Sequence, residues 1–177
     1  MGPGWGLAGD TNINGVGILG ATSIGGLWKA GYNVLTWDPR GFGKSTGTAE
    51  ADNKDFEGKD VQRLISFVAT QPQVQLDGPS DPRMGMVGAS YGGGIQFVTA
   101  ATDCRVDAIV PVIAWHELET SLYKSKVVKS GWAAILSSVS ALGHIDPHVA
   151  SAKKSGDTNG TVSAEDAAWF RSRGPGA

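Results

Sequence analysis

The clearest periodic pattern in the chain lies between residues 59 and 70. Val61, Leu64, Ile65 and Val68 recur at the helical spacing i, i+3, i+4, i+7, which predicts one amphipathic helix over Lys59–Thr70 packed against a sheet. Asp52, Asp55 and Glu57 crowd its start, where a helix dipole favours negative charge, and Pro72 follows its end. Gly58 is expected to weaken the first turn. Three short apolar runs read instead as buried strands: Tyr32–Trp37, Met84–Val87 and the run from Val106 to Ala114. Helical character from about Ile18, with Leu19, Ile24, Leu27 and Trp28 as the apolar positions, precedes the first run, and Gly31 suits the helix's C-terminal cap. A further helix over Gly93–Ala101 separates the second and third runs. The alternation helix, strand, helix, strand, helix, strand predicts an α/β fold: a parallel sheet with flanking helices, the three strands adjacent. The stretches 38–45 and 77–82 are dense in turn residues and read as loops.

After Trp115 the pattern changes. Segments 121–128, 132–142, 147–153 and 164–171 have helical character and no further strand is evident, so residues 1–116 read as a partial core and 117–177 as a helical cap or lid. Ser163 with Asp166 three positions on approaches a capping box, and Asp146-Pro147 reads as an N-cap followed by proline at the first helical position.

Composition narrows the class. With 177 residues, 41% hydrophobic and 18% charged, and a net charge of -2, the chain suits one globular domain. No basic stripe points to nucleic acid, no apolar stretch is long enough to cross a bilayer, and the N-terminal residues lack the layout of a signal peptide. The single cysteine, Cys104, excludes an internal disulfide and reads as a small buried apolar residue. The 26 glycines cluster in the first 50 residues and around Ser90, marking turns.

The candidate chemistry sits in one of those turns. Gly88-Ala89-Ser90-Tyr91-Gly92 is a G-x-S-x-G pattern between a predicted strand and a predicted helix, the setting in which a sharp turn lifts a serine hydroxyl clear of a sheet. Gly88 and Gly92 are small enough for such a turn. A rival lies upstream. Gly15-Val16-Gly17-Ile18-Leu19-Gly20 fits G-x-G-x-x-G, with Asp38 about 20 residues on, the layout of a dinucleotide site. That fingerprint needs a strand before Gly15, and residues 9–14 are polar and turn-like. Gly43-Lys44-Ser45 fits a phosphate loop only if position 38 were glycine. His144 and His148 straddle a predicted helix start, which argues for surface positions over a metal site.

Three segments together resemble the α/β-hydrolases of the X-Pro dipeptidyl-peptidase type, the S15 peptidases and related cocaine-esterase-like acyl hydrolases. They are Gly88-Ala89-Ser90-Tyr91-Gly92-Gly93-Gly94, Trp37-Asp38-Pro39-Arg40-Gly41-Phe42-Gly43-Lys44-Ser45 and Ala114-Trp115-His116. The resemblance implies a Ser–His–Asp hydrolase acting on peptide or ester substrates, with no cofactor or metal, and leans towards an exported protein. It assigns Ser90 as nucleophile, the Tyr91 backbone N–H as one oxyanion donor, and the Gly4-Trp5-Gly6 segment, hence Trp5 and Gly6, as the site of the other. In that fold the acid and histidine follow the serine on later strands. With no strand expected after Ala114, the chain is expected to be a fragment lacking both, inactive alone, with His116 structural. The alternatives are a non-catalytic binding domain of the same fold and the dinucleotide domain using Gly15, Gly17 and Gly20.

Overall fold

The computed structural model describes residues 1–17 and 22–175. Its centre is a β–α–β unit. Strands β3 (Gly85–Ala89) and β4 (Ala108–Val112) pair in parallel, Gly85 opposite Ala108 through Ala89 opposite Val112. Helix α3 (Tyr91–Thr102) makes the crossover between them. Helix α2 (Glu57–Val68) packs on α3, and Val61, Ile65, Met86, Ile95 and Val98 form the core, with Trp37, Met84, Val106 and Ile109 around it. Each such fully buried side chain contributes about 1.5–3 kcal/mol. A second cluster joins Phe42, Ala49 and Tyr91 to Trp5, Trp115 and Ile145.

The architecture is the expected partial α/β fold, with departures. Helix α2 starts before Lys59 because the Glu57 carboxylate accepts from the Glu50 and Asn53 backbone N–H groups at 2.6 and 2.9 Å. Gly58 lies inside the helix, facing the Val98 side chain of α3. The run Tyr32–Trp37 forms no ladder with β3, which corrects the expectation of three adjacent strands. Residues 1 and 2 lie between them: the Met1 nitrogen donates to the Leu35 carbonyl (2.7 Å) and the Gly2 nitrogen to the Val87 carbonyl (3.1 Å). Gly2 also bridges Gly88 in parallel, and Tyr32 is exposed rather than buried. The turn-rich stretch 77–82 is not a plain loop. It holds a small antiparallel hairpin, β1 (Leu76–Gly78) and β2 (Asp81–Pro82), closed by Arg83 donating to the Asp77 carboxylate. Cys104 is exposed, against expectation. It sits in the turn joining α3 to β4, where Arg105 takes the inward side, paired with Asp103 and donating to the Gln62 carbonyl. Upstream, α1 (Ile24–Lys29) is capped by Ser23; the stretch 18–21, where helical character was expected to begin, lies outside the described residues.

Beyond β4 the described residues are helical: α4 (Leu118–Leu122), a 3₁₀ turn (Lys124–Lys126), α5 (Ser130–Ser140), α6 (Pro147–Asn159) and α7 (Ala164–Arg171). The expected helix over 121–128 is broken because Ser125 and Lys126 have positive φ. Helix α6 outruns its expected end at 153 and stops where Gly160 turns left-handed (φ 69°). The Asp146 and Ser163 side chains cap α6 and α7. This helical half docks on the core through Ile145 in the second cluster and at a few polar points. The Ala49 nitrogen donates to the His144 carbonyl (2.8 Å), the Asp146 nitrogen donates to the Ala49 carbonyl (3.1 Å), and the Arg173 guanidinium donates to the Glu50 carbonyl (2.6 Å). No helix among the described residues is long and apolar enough to cross a membrane.

Candidate active site

Ser90 occupies the joint between β3 and α3, at the carboxyl end of the strand, where open α/β sheets bind ligands. Its backbone is at φ 55°, ψ −117°, a region that costs a non-glycine residue roughly 1–3 kcal/mol. The surroundings enforce it. The Ser90 nitrogen donates to the Val112 carbonyl (2.8 Å), and its own carbonyl accepts from Gly93 and Gly94 (2.8 Å each). Gln96, fully buried one turn on, donates to the Gly88 and Gly92 carbonyls (3.2 and 2.7 Å) and accepts from the Val110 nitrogen (2.9 Å). The chain folds back so tightly that a Cβ at Gly88 would lie 2.4 Å from the Gly92 carbonyl oxygen, and one at Gly92 2.1 Å from that of Gly2. Tyr91 is the first residue of α3, so its N–H has no acceptor within the helix.

Beneath the turn lies a group of buried acids. The Tyr91 hydroxyl donates to the Glu57 carboxylate (3.1 Å). Burial raises the Glu57 pKa, against the pull of its backbone donors. Asp52 is 1% exposed, with no hydrogen-bond partner for either oxygen, and burial and then the Glu57 charge push its carboxyl well above the usual range. Burial, then Asp52 and Glu57, push the Tyr91 phenol up as well. The buried Trp115 indole nitrogen also has no partner.

Above the turn is a cavity of about 290 Å³ that touches Ser90 and Tyr91. Trp5 and Trp115 stand on its core side, and Leu118, Trp132, Leu136 and Phe170 come from the helical half. None of the three histidines lines it. His116 and His144 are exposed. His148 Nδ1 lies 2.8 Å from Asp166 Oδ1 and its ring stacks on Trp169, joining α6 to α7. Burial raises the Asp166 pKa, but hydrogen bonds from His148, Ser163 and Ser151 outweigh it and hold the carboxyl below its usual range.

The other residues singled out in the sequence fall as follows. The Trp5 indole N–H donates to the Ser140 hydroxyl (3.2 Å), while its ring meets Phe42 and Tyr91 edge-on with centroids 5.1 Å apart. Gly6 has φ 78° and abuts Val139, where a Cβ would lie 2.9 Å from the carbonyl oxygen. No strand precedes Gly15 and Gly17, and Gly20 lies outside the described residues. The Asp38 carboxylate is already engaged by the Gly9 and Lys44 nitrogens, both at 2.8 Å; the Lys44 and Gly9 bonds hold its pKa down. Sequence reasoning missed Gln96, and it read Glu57 and Asp52 only as dipole partners of a helix. The available signal was a lone amide in a largely apolar helix and acids placed before a helix that needs few of them.

Comparisons with known proteins bear on the family. Two Escherichia coli proteins, both described as an uncharacterized 31.7 kDa protein in the traX-finO intergenic region, are 30% and 29% identical over 114 residues. In each case the match covers 64% of this chain but only 38% of the relative's length. The family model for X-Pro dipeptidyl-peptidase, the S15 family, matches residues 9–169. With nearly its whole length matched, the chain belongs to the S15 peptidase family, a family of hydrolases.

Proposed function

We propose that the protein is a serine hydrolase in which Ser90 is the nucleophile of a strand–turn–helix elbow and attacks the carbonyl carbon of an ester or amide. One observation carries this reading: Ser90 is held at φ 55°, ψ −117° at the end of a parallel strand and opens into a cavity. Strain of this kind persists only when the surrounding structure enforces it, and here backbone bonds and Gln96 do so. The Ser90 Oγ bonds to the acyl carbon, its proton passes through a base to the leaving oxygen or nitrogen, and water then releases the acid. The Tyr91 N–H stabilises the oxyanion. The Trp5 ring forms a wall of the acyl site, and its indole N–H, already given to Ser140, is not the second donor. Residues 117–177 serve as the cap that shapes the cavity.

A second reading is favoured by a separate observation. No histidine lines the cavity at Ser90, and the His148–Asp166 pair lies elsewhere in the cap. A serine hydroxyl is a poor nucleophile at neutral pH without a base. The rival is therefore a non-catalytic domain of the same fold. Hydrolysis of 4-nitrophenyl acetate by the protein as its gene encodes it separates the two. The hydrolase reading expects turnover that falls by at least about 10³-fold in Ser90→Ala. Equal turnover by the variant, or none by either, favours the binding domain.

A further inference from the structure

The cavity at Ser90 has an electrostatic bias that its family name does not suggest. Its walls are mainly aromatic and aliphatic, led by Trp115, Trp132, Leu118, Leu136 and Phe170. The charged residues that line it are Lys129 and Lys153; no aspartate or glutamate does so among the described residues. Lys153 is paired with Asp157 along its own helix, whereas Lys129 makes no ion pair among the described residues. A dipeptidyl-peptidase releases a dipeptide from a free amino terminus, so its substrate brings an ammonium group close to the scissile bond. Taking an ammonium group out of water into an apolar pocket requires an opposing carboxylate. This cavity offers apolar surface and positive charge instead.

We propose that the pocket selects bulky apolar acyl groups that are neutral or anionic at their far end, with Lys129 as the residue that discriminates on charge, and rejects acyl groups ending in a cation. The proposal deepens the hydrolase reading and rests on it for the identity of the reacting atom. An acyl group the size of octanoyl or phenylacetyl fits within the roughly 290 Å³ available. The carbonyl carbon sits at Ser90, and the apolar body runs between Trp115 and the α5 residues Trp132 and Leu136. A terminal carboxylate then reaches the lysine side of the cavity, where its attraction to Lys129 offsets part of its desolvation.

The test uses the protein as its gene encodes it and three 4-nitrophenyl esters with one leaving group: octanoyl, 7-carboxyheptanoyl and 8-aminooctanoyl. We expect kcat/KM for the ammonium-ended ester to be at least about tenfold below that for the carboxylate-ended one, a difference of about 1.4 kcal/mol. Lys129→Met should shrink the ratio and Lys129→Glu should reverse it; Lys129 is exposed, so both variants are expected to fold. Binding of octanoate and octylammonium, measured by calorimetry, supplies the arm that does not depend on chemistry. If no ester is cleaved but octanoate binds at least tenfold more tightly and Lys129→Glu reverses that preference, the hydrolase reading fails and the pocket assignment stands. Preference for the ammonium-ended ligand, binding of neither, or a charge preference unmoved by Lys129→Glu overturns the proposal. So does faster cleavage of an Ala-Pro 4-nitroanilide with a free amino terminus than of its N-acetyl analogue.

Discussion

The two walls of the cavity are built differently. On the core side, α3 buries Tyr91 through Gln96, Val98 and Thr99, and the turn before it is fixed by backbone bonds and by all three polar contacts of Gln96. On the other side, α5 buries none of its residues, and Trp132 and Ile135 remain 52% and 57% exposed. One wall is over-determined by hydrogen bonds that must all be made together, the other held by a few docking points such as Trp5 to Ser140 and Arg173 to Glu50. The division suits an acyl-transfer site. The reacting atom needs placement to within a fraction of an ångström, whereas the acyl wall needs only shape and charge.

The sharpest way to break this contrast is with glycines. Gly92→Ala places a Cβ 2.1 Å from the Gly2 carbonyl oxygen, a backbone clash that nothing flexible can relieve. We expect a loss of at least about 3 kcal/mol in chemical denaturation, or no folded protein. Gly131→Ala in α5 meets nothing within 4 Å and should be neutral or stabilise by up to about 1 kcal/mol. Equal effects would contradict the contrast. Next in size is Gln96→Leu, which leaves the Val110 N–H without its acceptor and removes a donor from the Gly88 and Gly92 carbonyls, and should cost about 2–4 kcal/mol. In α5, Ser137→Ala removes only a hydroxyl bonded to the Ala133 carbonyl and should move the denaturation midpoint by less than about 0.5 kcal/mol.

Smaller but opposite in sign are the pH effects. The Asp52 carboxyl is raised by burial and by Glu57, so its contribution to stability is complete below the unfolded value of about 3.9 and is lost as pH rises through the folded value. Asp166 is lowered on balance, so its contribution is present above about 3.9 and is lost as pH falls through its folded value. Thermal melts across pH should therefore show Asp52→Asn flattening the decline on the alkaline side, and Asp166→Asn abolishing part of the decline on the acid side. Curves unaltered by either substitution would remove these carboxyls from the account.

How much of this was legible in the sequence follows from the range of the interactions involved. The periodic helix α2, the strands β3 and β4 and the helix caps at Asp146 and Ser163 are local, and they stand close to where the pattern of residues put them. The Ser90 turn was legible because its small neighbours are consecutive in the chain. Tyr32–Trp37 misled because an apolar, β-branched run says nothing about which strand lies beside it, and residues 1–2 take that position. Cys104 misled because burial tendency is an average, and a turn tip overrides it. The Glu57–Tyr91 bond and the Gln96 staple join residues across folded elements, so only the assembled structure brings them together.

The most direct test of the central claim is reaction with a fluorophosphonate, which bonds covalently to an activated serine. The protein as its gene encodes it is incubated with the reagent, digested and mapped by mass spectrometry. The account predicts a single stoichiometric adduct on Ser90, absent in Ser90→Ala and abolished by prior heat denaturation. Unlabelled Ser90, or an adduct that persists in the Ser90→Ala protein, would contradict it.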